Sequence, residues 1–125
     1  SDFGFHNIIK KNKKLFFIDF EYAGLDDPIK LICDFYCQPD QNLNEYHKKK
    51  FINKLFVKNY TKKVLANYTK IFLPFHKLKW CCIMLNEFKN ENQYRDKKTI
   101  YESKKIMKRQ LIKTKIYFKK NFEKA

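Results

Sequence analysis

Three polar residues near the start of the chain have types and spacing suited to chemistry. Asp2 is followed five positions later by Asn7, and Asp19 closes the short apolar run Leu15-Phe16-Phe17-Ile18. An aspartate and an asparagine at this spacing supply a base for an incoming hydroxyl and an oxygen ligand for Mg²⁺. A second aspartate, delivered by a strand, completes a metal site. Mg²⁺ is a hard ion that takes oxygen ligands, usually one or two carboxylates with an amide, phosphates and water. Asn7 and Asp19 fit that set. Asp2 is then left to orient an acceptor hydroxyl and accept its proton late in a phosphoryl transfer.

A hairpin must position these residues. Ile8-Ile9-Lys10-Lys11 and Leu15 to Ile18 read as two strands, with Asn12-Lys13-Lys14 as the turn. The open ends of a hairpin lie together, so Asn7 and Asp19 are expected side by side, as two ligands of one ion require. His6, beside Asn7, is read as a structural histidine. The chain's only glycines, Gly4 and Gly24, fall in the two loops of this site, where glycine permits unusual dihedrals and close backbone approach.

The pattern Asp2…Asn7…Ile18-Asp19-Phe20-Glu21-Tyr22-Ala23-Gly24…Asp27-Pro28 resembles the aminoglycoside phosphotransferase and choline kinase family, whose members share the protein-kinase fold. The resemblance is close over residues 1–40 and thin beyond. It implies that Asp2 is the catalytic base, and that Asn7 and Asp19 are the Mg²⁺ and nucleotide-cofactor ligands of an ATP-dependent transferase. Asp19-Phe20-Glu21 matches the small-molecule branch rather than the Asp-Phe-Gly of protein kinases. The histidine usually found two residues before the catalytic aspartate would precede Ser1. The acidic residue that follows Asp-Pro in the family is replaced by Lys30 and Leu31, which makes Asp34 the candidate to brace the catalytic loop instead.

The resemblance also sets the expected organisation. At 125 residues the chain is expected to form a single domain over residues 1–125, mostly α with a small N-terminal β-hairpin. In the family's terms it is the C-terminal lobe of a protein-kinase-like (α+β) fold. The N-terminal lobe, which covers the ATP phosphates in such enzymes, is expected elsewhere in a longer protein, so this portion alone is expected to be inactive. The partners implied are ATP, a small-molecule hydroxyl acceptor and that missing lobe. Trp80, Tyr22 and Tyr36 with Glu21 or Glu87 are available for an aromatic, acidic pocket around a cationic amine, although core packing is the better reading of each. The acceptor itself stays open among choline, ethanolamine, an aminoglycoside, a sugar or another small alcohol.

Charge points elsewhere at first sight. The net charge of +15 and a pI near 9.7 suit a nucleic-acid binder. Yet the cations are almost all lysine, with Arg95 and Arg109 the only arginines, whereas phosphate-gripping surfaces favour the arginine fork. Lys, Asn, Ile, Phe and Tyr share A/T-rich codons, and drift in base composition explains the profile economically. A basic nucleic-acid-binding helical domain therefore ranks last, behind a non-catalytic kinase-like interaction module. Retention of Asp2, Asn7 and Asp19 favours the enzyme over that module.

Helices follow the hairpin. Asp26-Asp27-Pro28 is a helix start running to about Cys37, stopped by Gln38-Pro39-Asp40. A second helix is expected from about Leu43 to Lys58, with Phe51, Ile52, Leu55 and Phe56 at helical spacing. A third runs from about Thr61 to Leu73, broken or kinked by Pro74. A fourth, about Lys77 to Phe88, is apolar on nearly every side and is expected in the centre of the domain. The last spans about Asp96 to Phe122, with Ile100, Met107, Leu111, Phe118 and Phe122 on one face. Cys33, Cys37, Cys81 and Cys82 lack zinc-site spacing and read as buried free thiols, which imply a reducing compartment and a cytoplasmic location. No apolar stretch is long enough to span a membrane.

Overall fold

The computed structural model describes residues 4–21, 24–41, 43–55, 57–93 and 97–123. Asp2, Tyr22, Phe56 and Asp96, each named above, lie outside the described residues. The described chain is mostly helical with a two-stranded antiparallel hairpin at its N-terminal end. It divides into two compact units, Ser1–His76 and Lys77–Ala125.

In the first unit a short 3-10 helix, Phe5–Asn7, leads into β1 (Ile8–Lys11) and β2 (Lys14–Phe17). The register pairs Ile8 with Phe17, Ile9 with Phe16, Lys10 with Leu15 and Lys11 with Lys14. Lys14 thus belongs to β2, and the turn is only Asn12-Lys13. Both turn residues have positive φ, 49° and 62°, the two-residue geometry whose twist matches that of the strands.

Helix α1 (Pro28–Cys37) starts where expected. The Asp27 carboxylate accepts from the Ile29 amide at 2.7 Å, and Pro28 occupies the first turn, where its missing N–H costs nothing. Helix α2 is shorter than its apolar spacing suggests, Glu45–Lys54: Asn44 caps its start by accepting from His47 N at 3.0 Å, and the chain leaves it at Leu55 in extended backbone. Helix α3 (Lys62–Met84) begins with Thr61 Oγ1 accepting from Val64 N at 3.2 Å. It corrects two expectations at once, since the third and fourth predicted helices are one, running through Pro74. The proline removes the bond to the Lys70 carbonyl, but Pro74 and Lys70 are both exposed, where water can satisfy that group.

The core of this unit is Ile29, Ile32, Cys33, Ile52 and Leu65, with Tyr36, Phe51, Leu55, Val57 and Leu73 packed around it. It draws one face each from α1, α2 and α3. The Cys33 thiol donates to the Thr69 carbonyl at 3.8 Å and the Cys37 thiol to that of Leu73 at 3.9 Å, laying α1 against α3.

In the second unit a 3-10 segment, Asn86–Gln93, follows α3, and the long helix α4 (Lys97–Phe122) packs against it. Cys81 and Met84 are buried, but Leu78, Cys82 and Ile83 are exposed. The expectation of a wholly buried apolar helix therefore fails, and with it that of a buried thiol at Cys82. Cys33, Cys37 and Cys81 are buried free thiols, and burial pushes the Cys81 thiol above its ordinary pKa. Among the described residues no helix is long and apolar enough to cross a membrane.

Candidate functional site

The site is built on the open end of the hairpin. The Asn7 amide donates to the Gly4 carbonyl at 3.1 Å, closing the 3-10 turn, and the Asn7 carbonyl accepts from Ile18 N at 2.9 Å. That second bond carries the ladder one pair beyond β1 and β2, so Asn7 faces Ile18 and Asp19 follows directly. Asn7 is buried while Asp19 is exposed. The backbone of Asp19 is left-handed, with φ of 60°. Aspartate tolerates this region better than most residues, and a non-glycine held there marks local strain of the kind found at functional sites.

The loop carrying Asn7 is fastened to α1. Phe5 meets Phe35 edge to face, with centroids 5.6 Å apart. Gly4 lies buried against the Gln38 amide, where a Cβ would overlap the side chain. Gln38 is fixed in turn, its Oε1 accepting from Gln41 Nε2 at 2.5 Å. Gly4 is required for this close approach and not for its dihedrals, since neither glycine has positive φ. Gly24 has nothing within 4 Å of a Cβ, so the expectation of a conformational role there has no counterpart.

A second cluster of charge was not anticipated as a unit. Asp34 is buried on α1, with its Oδ1 2.9 Å from His76 Nδ1 on α3 and its Oδ2 3.6 Å from Lys30 Nζ. Lys30 also pairs closely with Asp26. That hydrogen bond holds the Asp26 carboxyl well below the usual carboxylate range and raises the Lys30 ammonium above its ordinary value. The i, i+4 spacing of Asp26, Lys30 and Asp34 is legible in the sequence, whereas His76 comes from a helix far along the chain.

The aromatic residues considered for an acceptor pocket divide. Tyr36 is core: its ring packs against Phe35 and Phe51, its hydroxyl donates to the Lys48 carbonyl, and burial pushes its phenol above the ordinary range. Trp80 Nε1 is buried with no hydrogen-bond partner among the described residues. His6 and Glu21 are exposed. Among the described residues no group of three His, Cys, Asp or Glu side chains converges. No family model matches the chain, and neither a curated protein nor a solved structure matches it.

Proposed function

We propose that the chain is the C-terminal, catalytic-loop-bearing portion of an ATP- and Mg²⁺-dependent small-molecule phosphotransferase of the aminoglycoside phosphotransferase and choline kinase type. The observation that carries the reading is the hairpin register. It sets Asn7 opposite Ile18, with Asp19 next in line and held in a left-handed backbone. An amide and a carboxylate at the mouth of one hairpin are hard oxygen donors of the kind Mg²⁺ takes. An ion that also binds nucleotide phosphates and water needs no cluster of three protein side chains.

Bound there, Mg²⁺ neutralises the charge of the terminal phosphates. The protein's own residues do the rest. Asp19 and Asn7 fix the position of the nucleotide's phosphates at the hairpin mouth. Asp2 holds the acceptor hydroxyl and takes its proton at the carboxylate. Phe35 and Gln38, by gripping Phe5 and Gly4, keep the loop between these residues in place. A lobe over the ATP phosphates completes the site in such enzymes.

The test is Mg²⁺-dependent transfer from ATP to a panel of small alcohols and amines, using the full-length protein. Asp19→Asn should lower the rate by roughly 10²–10³-fold with an unchanged thermal melt. A variant as fast as wild type would remove Asp19 from the site. A wild-type protein that binds ATP-Mg²⁺ yet transfers to no acceptor would leave the non-catalytic module in its place.

A further inference from the structure

Helix α4 has apolar side chains on the face that its burial does not explain. Ser103 and Thr114, two of its smallest and most polar residues, are buried, and Thr114 Oγ1 donates back to the Gln110 carbonyl at 2.8 Å. On the opposite face lie Tyr101, Ile112 and Ile116, which are 71, 51 and 63 % exposed. Lys105, Lys108 and Lys119, all exposed, fall on that same face, because steps of three and four residues return to one side of a helix. The six residues form a stripe about 27 Å long at 1.5 Å per residue. Across the whole helix ten Lys and Arg stand against one acidic residue, Glu102. Beside the stripe a cavity of about 430 Å³ is lined, among the described residues, by Glu102, Lys105, Ile106 and Arg109.

We propose that this face of α4 docks on an anionic lipid surface, lying parallel to it with Tyr101, Ile112 and Ile116 entered among the headgroups. The charge selects an anionic partner. The side chains between the lysines select lipid over nucleic acid: isoleucine offers no π-face to a base, but its burial at an acyl boundary is favourable, and tyrosine suits the headgroup layer. Lysines flanking such a stripe keep their stems on the apolar surface and their ammonium groups at the phosphates. This inference concerns a different element from the hairpin and does not depend on the phosphotransfer reading.

Co-sedimentation of the full chain with vesicles tests it. Vesicles containing about 30 per cent phosphatidylserine should bind at least about tenfold more tightly than phosphatidylcholine alone. The double variant Ile112→Asn, Ile116→Asn should lose about tenfold in that binding, and Lys105→Gln with Lys108→Gln more than about tenfold. Both pairs are exposed, so circular dichroism should be unchanged. Equal binding to neutral and anionic vesicles would overturn the proposal. So would a DNA or RNA duplex that displaces the vesicles and binds the isoleucine variant as tightly as wild type, which would assign the face to nucleic acid.

Discussion

The hairpin of residues 8–17 has five apolar side chains and the ten-residue helix α1 seven, and they meet opposite environments. On α1, Ile29, Ile32, Cys33, Phe35 and Cys37 are buried; on the hairpin, Ile9, Leu15, Phe16 and Phe17 are all about half exposed. A helix concentrates its apolar residues on one stripe, and two other helices close over it. A two-stranded ribbon points alternate side chains to opposite faces, and among the described residues it has no second layer. Its order comes from the backbone ladder, the two-residue turn and the anchorage of its open end to α1 through Phe5 and Gly4. The candidate site therefore stands on the least packed element, and its geometry is set by register more than by burial.

That contrast predicts unequal responses to the same operation. Ile32→Ala should cost about 2–5 kcal/mol, since Ile32 is fully buried in a close-packed cluster. Phe16→Ala should change stability by less than about 0.5 kcal/mol. Urea unfolding of both variants measures the difference, and equal losses would mean that the hairpin is packed as tightly as α1. Next in size is Asp34→Ala, which strips His76 Nδ1 of its acceptor and should cost about 1–3 kcal/mol. In a His76→Ala background the same change should cost distinctly less. Equal costs in the two backgrounds would show that the pair contributes nothing.

Local signals were legible wherever they sat in one short stretch of sequence. The hairpin follows from its apolar runs and polar turn, and α1 from Asp27-Pro28 at its start and Pro39 after its end. The nearness of Asn7 and Asp19 along the backbone followed from the hairpin itself, but not that Asn7 is buried while Asp19 is exposed. What escaped depended on environment. Pro74 reads as a break or a kink because the sequence does not say that its side of α3 meets solvent. The Lys77–Phe88 run reads as central because hydrophobicity alone does not report which faces are covered, as Leu78 and Ile83 show. The helix expected to run to Phe88 stops at Met84 and passes into the 3-10 segment Asn86–Gln93. The Asp34–His76 contact joins positions 42 apart in sequence, a separation that no local pattern reports.

If register holds the hairpin, improving its turn should tighten it while leaving the core untouched. Lys13 pays a steric penalty at φ of 62° that glycine avoids, and Asn-Gly is the preferred pair for this turn. Lys13→Gly should stabilise the hairpin by about 0.4–1 kcal/mol, after allowing for the entropy glycine adds to the unfolded chain. Slower amide exchange at Lys11 and at Ile18, whose N–H donates to the Asn7 carbonyl, with no change at Ile32, would confirm that the two regions open independently. Matching changes in both would mean that the hairpin and α1 unfold as one unit.

The smallest effect tests the link between the two regions, the Asp26–Lys30 pair that leads into α1. Lys30 holds the folded carboxyl of Asp26 well below its unfolded value, which is about 3.9. The native state therefore binds fewer protons than the unfolded state as pH falls through the carboxylate range. The pair's contribution is complete above about pH 5 and is lost progressively below it. Lys30 is 39 % exposed, so solvent screening leaves about 0.2–1 kcal/mol. Asp26→Asn should lower stability at pH 7 by that amount and by progressively less as the pH falls below about 5, flattening the acid limb of the profile. Raising the salt to about 1 M should flatten the wild-type limb in the same way. An acid limb that is identical in wild type and variant would remove the Asp26–Lys30 pair from the pH dependence.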